Sequence, residues 1–341
     1  MGWLSNIWSD INGSPTEDLA LIDNLEIPGQ SFYGQSIVPD ECYVELYVES
    51  LRLEKARKFA TTFHGAVYAF ETLARLGSTN ADLAAISKPD QLAKLDSSAL
   101  GHVITLSRQL MGPIAWRGGN LHLELGLFSV KEGNLLSPVL DFVTQVSTTA
   151  GASFIGAMTP FVPLVTKGMD LLAGQVNDVA LEVAVDTDLS LKTTGTYAII
   201  AAPKTKIDPA RITIDPADHK LLFNGLPLQS GYCVFSIRQT NRKADFGQIS
   251  ELKDKFSALY TAIQSSNAQV ANDALTAFRL AVLTCPDVIS SDADQLIAEA
   301  TKQVNRAFQP AGVVPGGIAA AMKGTLSDYE AKELADLRIY G

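Results

Sequence analysis

The chain has 341 residues, 47% of them apolar and 19% charged, with a formal net charge of −10. That is a globular composition with length for one large or two ordinary domains. The excess of acid removes the basic patches on which binding to nucleic-acid phosphates depends, so DNA and RNA are excluded as partners. Cys42, Cys233 and Cys285 are odd in number and form no C-x-x-C pair, which fits free thiols buried in the core of a protein in a reducing compartment.

In chain order, no basic region followed by a continuous apolar run opens the sequence, and cytoplasmic residence is the expectation, with the periphery of a membrane as the second address. Trp3, Leu4, Ile7, Trp8 and Ile11 recur at helical spacing, which makes this segment an amphipathic arm able to pack on its own domain or a neighbouring subunit, or to lie at a bilayer interface. Met1-Gly2 begins a myristoylation motif, but Asn6 stands where that motif requires Ser or Thr. Residues 1–40 as a whole read as this arm plus an irregular lead-in over 12–40, because Pro15, Pro28, Gly29, Gly34 and Pro39 are too closely spaced for regular structure.

Val44, Leu46 and Val48 alternate with Glu45, Tyr47 and Glu49, which predicts a strand with one face in a core and the other in solvent. Phe59 to Phe70 is rich in aromatic and β-branched residues and reads as a strand, although Phe63, Val67, Phe70, Leu73 and Leu76 also suit a helix. Leu121, Leu123, Leu125 and Leu127, interleaved with His122 and Glu124 after a Gly118-Gly119-Asn120 turn, predict another strand. Further strands follow at 179–186, with Glu182 and Asp186 on its polar face, and at 196–201, 211–214, 220–223 and 232–238. Short strands at this spacing indicate an antiparallel sandwich or barrel over 41–240.

Between Asp141 and Lys167 the run Phe142 to Thr166 holds no ionisable side chain. A spanning helix needs roughly 20 apolar residues, but Ser and Thr are spread through this run and Pro160 and Pro163 break its second half. It reads as a helical insertion, over about 134–175, buried against the protein's own core, a partner or a bilayer. Its apolar residues Phe154, Ile155, Phe161, Val162 and Leu164, with Trp3, Ile7 and Trp8 of the arm, are the candidate interaction surface.

The C-terminal third is helical. Leu252, Phe256, Leu259, Tyr260 and Ile263 form one stripe, and Ala271, Ala274, Leu275, Phe278 and Val282 form a second, ended by Cys285-Pro286. Leu296, Ile297, Ala300, Val304 and Phe308 form a third, after a capping-type Ser291-x-x-Asp294. Residues 309–341 are a Gly- and Pro-rich tail with a short acidic helix near its end. The expected class is α+β, an antiparallel β-sandwich with a helical insertion and a helical bundle over 241–308.

Catalytic motifs are missing. His64, His102, His122 and His219 show no H-E-x-x-H or H-x-H spacing, and no Walker sequence or G-x-G-x-x-G is present. Gly151-Ala-Ser153-Phe-Ile-Gly156 misses the nucleophile-elbow spacing by one residue. A hydrolase assembled from distant residues stays open, but no enzymatic activity is expected and no cofactor beyond calcium. His122 and Glu124, two apart on one strand face, suit a metal or acid/base pair as well as an ordinary polar face. Asp186, Asp188, Asp215 and Asp218 fall on strand ends and loops, where converging oxygens build calcium sites. Asp-Pro turn chemistry explains the last two equally. A sandwich with aspartate-bearing loops resembles C2-type membrane-binding domains in general plan, without a residue-by-residue match to their loops. The expected function is a non-catalytic component that assembles with itself or with a protein partner through the insertion and the arm. The alternative is a membrane-active effector whose run 142–166 enters or docks on a bilayer.

Overall fold

A computed structural model describes residues 19–53, 63–75, 78–86, 103–131, 179–243 and 246–308. The chain divides into two compact units after Thr240. The first carries twelve described strands: β1 (Leu19–Leu25), β2 (Tyr43–Arg52), β3 (Phe63–Arg75), β4 (Ser78–Ile86), β5 (Val103–Ala115), β6 (Leu121–Lys131), β7 (Val179–Leu189), β8 (Gly195–Pro203), β9 (Ile212–Ile214), β10 (Leu221–Phe223), β11 (Leu226–Pro227) and β12 (Tyr232–Thr240). They form a five-stranded sheet in the order β1-β8-β12-β2-β5, a four-stranded sheet in the order β4-β3-β6-β7, and a three-stranded sheet β11-β10-β9. Every pairing is antiparallel. The class is α+β, with antiparallel sheets followed by three helices.

Period-two alternation explains which face each strand buries. Leu121, Leu123, Leu125 and Leu127 of β6 join Val44, Leu46 and Val48 of β2, Val183 and Val185 of β7, and Ile199, Cys233, Phe235 and Ile237 of β8 and β12 in one buried cluster. That cluster draws on both large sheets, and within it the Tyr197 and Phe235 rings stack at 5.1 Å. The intervening residues Ala198, Ile200, Tyr232 and Val234 enter a second cluster with Ala20, Ile22 and Leu25 of β1 and Ile212, Ile214 and Leu221 of the small sheet. Strands β8 and β12 are therefore buried on both faces, which is why each reads as a near-continuous apolar run rather than an alternation.

Strands β1, β4 and β5 and the two-residue β11 were not expected. β1 lies inside the stretch 12–40 that reads as irregular, because its seven residues run directly into the Pro28-Gly29 turn; it pairs with β8. β5 contains Gly112-Pro113, an ordinary turn signal, yet it lies at the sheet edge, where proline's missing N–H breaks no ladder. Gly112 has φ +102°, and a Cβ there would stand 2.6 Å from the Val44 carbonyl oxygen, so only glycine lets β5 approach β2. β3 confirms the strand reading of its segment and extends to Arg75.

The second unit contains α1 (Ser250–Gln264), α2 (Ala268–Thr284) and α3 (Ser290–Phe308), matching the three expected stripes. Leu252, Phe256, Leu259, Leu275, Phe278, Val282, Leu296, Ala300 and Val304 build its core, and Phe256 meets Phe278 edge-on at 5.6 Å. Asn267 caps α2 by accepting from the Gln269 and Val270 N–H groups, and α2 stops before Cys285-Pro286. The third helix begins at Ser290, so Ser291 lies in its first turn instead of capping it. The arm with Trp3 to Ile11, the insertion 134–175 and the tail 309–341 lie outside the described residues.

All three thiols are buried, and burial pushes Cys233 from its ordinary 9.0 up to about 12. Between those values the unfolded chain releases the thiol proton and the folded chain keeps it, so stability falls as pH rises, by about 1.4 kcal/mol per pH unit from this group. Urea midpoints taken from pH 8 to 11 under reducing conditions should fall, and Cys233→Ala should fall less steeply by close to one proton.

Candidate functional site

Two polar clusters interrupt the apolar pattern. The first grows from the β6–β7 ladder, whose register sets His122 opposite Asp188 and Glu124 opposite Asp186. With leucines pointing into the core, these four residues share the opposite face. His122 Nδ1 lies 3.2 Å from Asp188 Oδ1, while Nε2 lies 3.6 Å from Asp186 Oδ1 and 3.8 Å from Glu124 Oε1. The side chain of Glu124 is 6% exposed and that of Asp188 66%, so the cluster runs from a dry floor to an open rim. Among the described residues, His122, Glu124 and Asp186 form the one group whose donor atoms converge closely enough to share a metal ion.

The second cluster centres on Glu49. Ser50 pairs with Val234 and Val48 with Phe235, leaving Glu49 as the extra residue of a β-bulge, turned away from the first core. Its carboxylate is completely buried, which corrects the solvent-facing position expected from the alternation in β2. Ser236 donates its hydroxyl to Oε1, Arg238 donates to the same oxygen at 2.6 Å, and Ser107 donates to Oε2 at 2.8 Å. His219 Nδ1 stands 3.7 Å from Oε2 and 3.4 Å from Ser107 Oγ. The Arg238 guanidinium is held between the rings of Phe32 and Tyr47, at 4.3 and 3.9 Å from their centroids.

A serine, an imidazole and a carboxylate thus meet from three distant parts of the chain, yet not as a proton relay. In a relay the imidazole stands between hydroxyl and carboxylate and uses one nitrogen for each. Here the Ser107 hydroxyl bonds the carboxylate directly, and His219 faces both through the same nitrogen. The arrangement anchors a buried charge. Ser107 and His219 both hold positive φ, 43° and 53°, a cost that the surrounding contacts sustain.

The four aspartates expected to gather calcium separate into two places. Asp186 and Asp188 belong to the β6–β7 face, whereas Asp215 and Asp218 flank the turn before β10. There the Ala217 N–H donates to Asp215 and holds its carboxyl below the usual range, and Lys220 Nζ contacts Asp218 at 2.9 Å and Asp215 at 3.5 Å. A lysine ammonium already occupies the position a cation would take between them. The interaction residues Trp3, Ile7, Trp8, Phe154, Ile155, Phe161, Val162 and Leu164 lie outside the described residues.

Apolar surface is nevertheless exposed on the second unit, where Leu280 and Leu283 of α2 are 63% and 56% accessible. No helix among the described residues is long and apolar enough to cross a membrane. Comparison with known proteins finds no matching family model, curated protein or solved structure.

Because Glu49 is the counter-ion of a largely enclosed Arg238, Glu49→Ala should cost about 3–5 kcal/mol, read as a lower urea midpoint. Glu49→Leu combined with Arg238→Met should recover most of that loss. A loss under about 1 kcal/mol for the single change would mean that water replaces the carboxylate without penalty.

Proposed function

We propose that the protein is an interaction component that assembles with its own kind or with a protein partner through the uncharged segment 142–166. The observation that supports this most is the place of that segment in the chain. β6 and β7 are antiparallel neighbours, with Val130 paired to Val179, so residues 132–178 form one connection between adjacent strands. A stretch of 25 residues without an ionisable group, 142 through 166, is thereby tied at both ends to one sheet. Leaving such a surface in water is unfavourable, and burial against a partner removes that cost. The exposed leucines of α2 add a second apolar surface. In this reading the two large sheets are the layers of a β-sandwich, C2-like in general plan, that serves as scaffold and carries no catalytic role.

A membrane-active effector is the second reading, favoured by the same connection. Membrane strands need about 9–11 residues each, so 25 residues suffice for a hairpin that continues β6 and β7 into a bilayer, where hairpins from further copies would have to close a barrel to satisfy its outer backbone groups. The net charge of −10 and the single close flanking cation, Lys167, disfavour attraction to anionic lipid.

Light scattering of the purified chain, with flotation on phosphatidylcholine and phosphatidylserine vesicles, separates the two. Assembly predicts a mass above one chain that Ala157→Asp or Val162→Asp reduces, and no flotation. The membrane reading predicts flotation of the wild type, lost in both variants while the soluble fold persists. A monomer that ignores vesicles would remove both.

A further inference from the structure

We propose that Asn224 is a site of spontaneous covalent modification, at which the backbone nitrogen of Gly225 attacks the side-chain amide and converts the asparagine to aspartate and isoaspartate. The site lies in the small sheet β11-β10-β9 and is independent of the assembly reading.

The turn supplies both reacting groups. Phe223 pairs with Leu226, so Asn224 and Gly225 are the two central residues of the β10–β11 hairpin. Both hold positive φ, 54° and 77°, the signature of a type I′ turn, for which Asn-Gly is a preferred sequence. Both are exposed, and a Cβ placed on Gly225 would meet nothing within 4 Å, so the space around its nitrogen is open. The Asn224 N–H donates to the Arg211 carbonyl oxygen at 3.0 Å, but its side-chain amide and the Gly225 N–H have no hydrogen-bond partner among the described residues. Neither nucleophile nor electrophile is committed elsewhere. Among the described residues Asn224 is also the one asparagine followed by glycine; Asn24 and Asn120 precede leucines, and Asn267 uses its side chain to cap α2.

The chemistry is intramolecular and needs only water. Hydroxide takes the proton of the Gly225 nitrogen, which forms a bond to Cγ of Asn224; the Cγ–Nδ2 bond breaks, and that nitrogen takes a proton from water and leaves as ammonia. Water then adds to either carbonyl of the five-membered imide. Breaking the bond from Cγ to nitrogen gives aspartate in a normal backbone, and breaking the bond from the backbone carbonyl carbon to nitrogen gives isoaspartate, with the chain routed through the side chain. Glycine favours ring closure because no side chain crowds its nitrogen, and reactants one residue apart make the step unimolecular.

Ring closure requires the turn to open, and this end of the sheet opens at little cost. β11 has only two residues, both exposed, with Leu226 71% accessible, and Pro227 brings no N–H to the ladder. Few buried contacts and exposed backbone hydrogen bonds mark a segment of low local stability. Beyond it the Leu228 N–H donates to the Leu221 carbonyl oxygen at 2.9 Å, so opening 224–227 leaves the rest of the hairpin in place. The product carries a new negative charge at the hairpin tip, and isoaspartate adds a methylene to the main chain that a two-residue turn cannot accommodate, which frees β11 from β10.

The full chain is incubated at 37 °C at pH 6 and pH 9, folded and in guanidinium chloride, and the peptide carrying Asn224 is followed by liquid chromatography and mass spectrometry. The same map separates Asn12-Gly13, the other Asn-Gly pair of the sequence. The expected result is two products of one mass, differing from the parent by the gain of water and the loss of ammonia and formed faster at pH 9. The rate in the folded chain should lie within about 10-fold of that in guanidinium chloride, as for a segment that opens at little cost. Hydrogen exchange at Leu226 should quicken as isoaspartate accumulates. Asn224→Gly keeps a residue suited to positive φ and removes the amide, so both products should be lost while the circular dichroism spectrum is kept. A folded chain whose Asn224 stays intact while the unfolded chain is converted would overturn the proposal, because the closed turn then protects the amide. Aspartate formed without isoaspartate would overturn it as well, since direct hydrolysis needs no Gly225 nitrogen, and so would products that persist in Asn224→Gly.

Discussion

A carboxylate without any solvent exposure is expensive unless its charge is matched, and Glu49 sets this condition within the five-stranded sheet. Meeting it recruits Ser236 and Arg238 from β12, Ser107 from β5 and His219 from the turn before β10. Arg238 in turn needs its apolar sides covered, and the Phe32 and Tyr47 rings do so. Phe32 belongs to a segment without strands that Thr194 also holds, through the Gly34 N–H to its carbonyl and its own N–H to Gln35. One buried charge therefore ties an irregular stretch, an edge strand and a turn together, beside the apolar contacts they also make.

The location of that charge follows from a sheet packed on both sides. β12 sends Cys233, Phe235 and Ile237 into one core and Tyr232 and Val234 into the other. At Ser236 and Arg238 the second face turns polar, and there the bulge at Glu49 brings two successive residues of β2, Glu49 and Ser50, to that face. Ser50 donates to the His219 carbonyl oxygen at 2.5 Å, so even the backbone of the strained turn is used. Apolar packing and polar bonding thus divide one sheet face lengthwise.

The parts of the fold legible from sequence were those in which one face is wet or one stripe is apolar. Leu121 to Leu127 and the stripes Leu252–Ile263 and Leu296–Val304 announce themselves because burial repeats with the period of the element. β1 and β5 did not, since a short strand beside Pro28-Gly29 and a strand containing Gly112-Pro113 carry turn signals whose meaning depends on which neighbour the chain meets. Glu49 was placed in solvent for a similar reason. Alternation tells which side a residue faces, but only the tertiary partners of that side decide whether it is wet, and those partners come from 58 to 189 residues away. At the β6–β7 site, His122-x-Glu124 and Asp186-x-Asp188 were each visible as a pair, while the register that sets one against the other is a property of the ladder.

The two polar clusters differ in how far they are closed off from solvent. Around Glu49 the acceptor is surrounded by donors: two hydroxyls, a guanidinium and an imidazole edge converge on two oxygens. Nothing further is required electrostatically, and the closed geometry leaves the Ser107 hydroxyl committed to the carboxylate. At His122 the imidazole lies among three carboxylates, with Asp188 at 3.2 Å, Asp186 at 3.6 Å and Glu124 at 3.8 Å, on a face that runs from a dry floor to an open rim. The ladder fixes which residues stand opposite one another there, because a one-residue slip would turn Leu121 to Leu127 out of the core. The same pairing that buries the leucines therefore sets one histidine against three carboxylates on the opposite face.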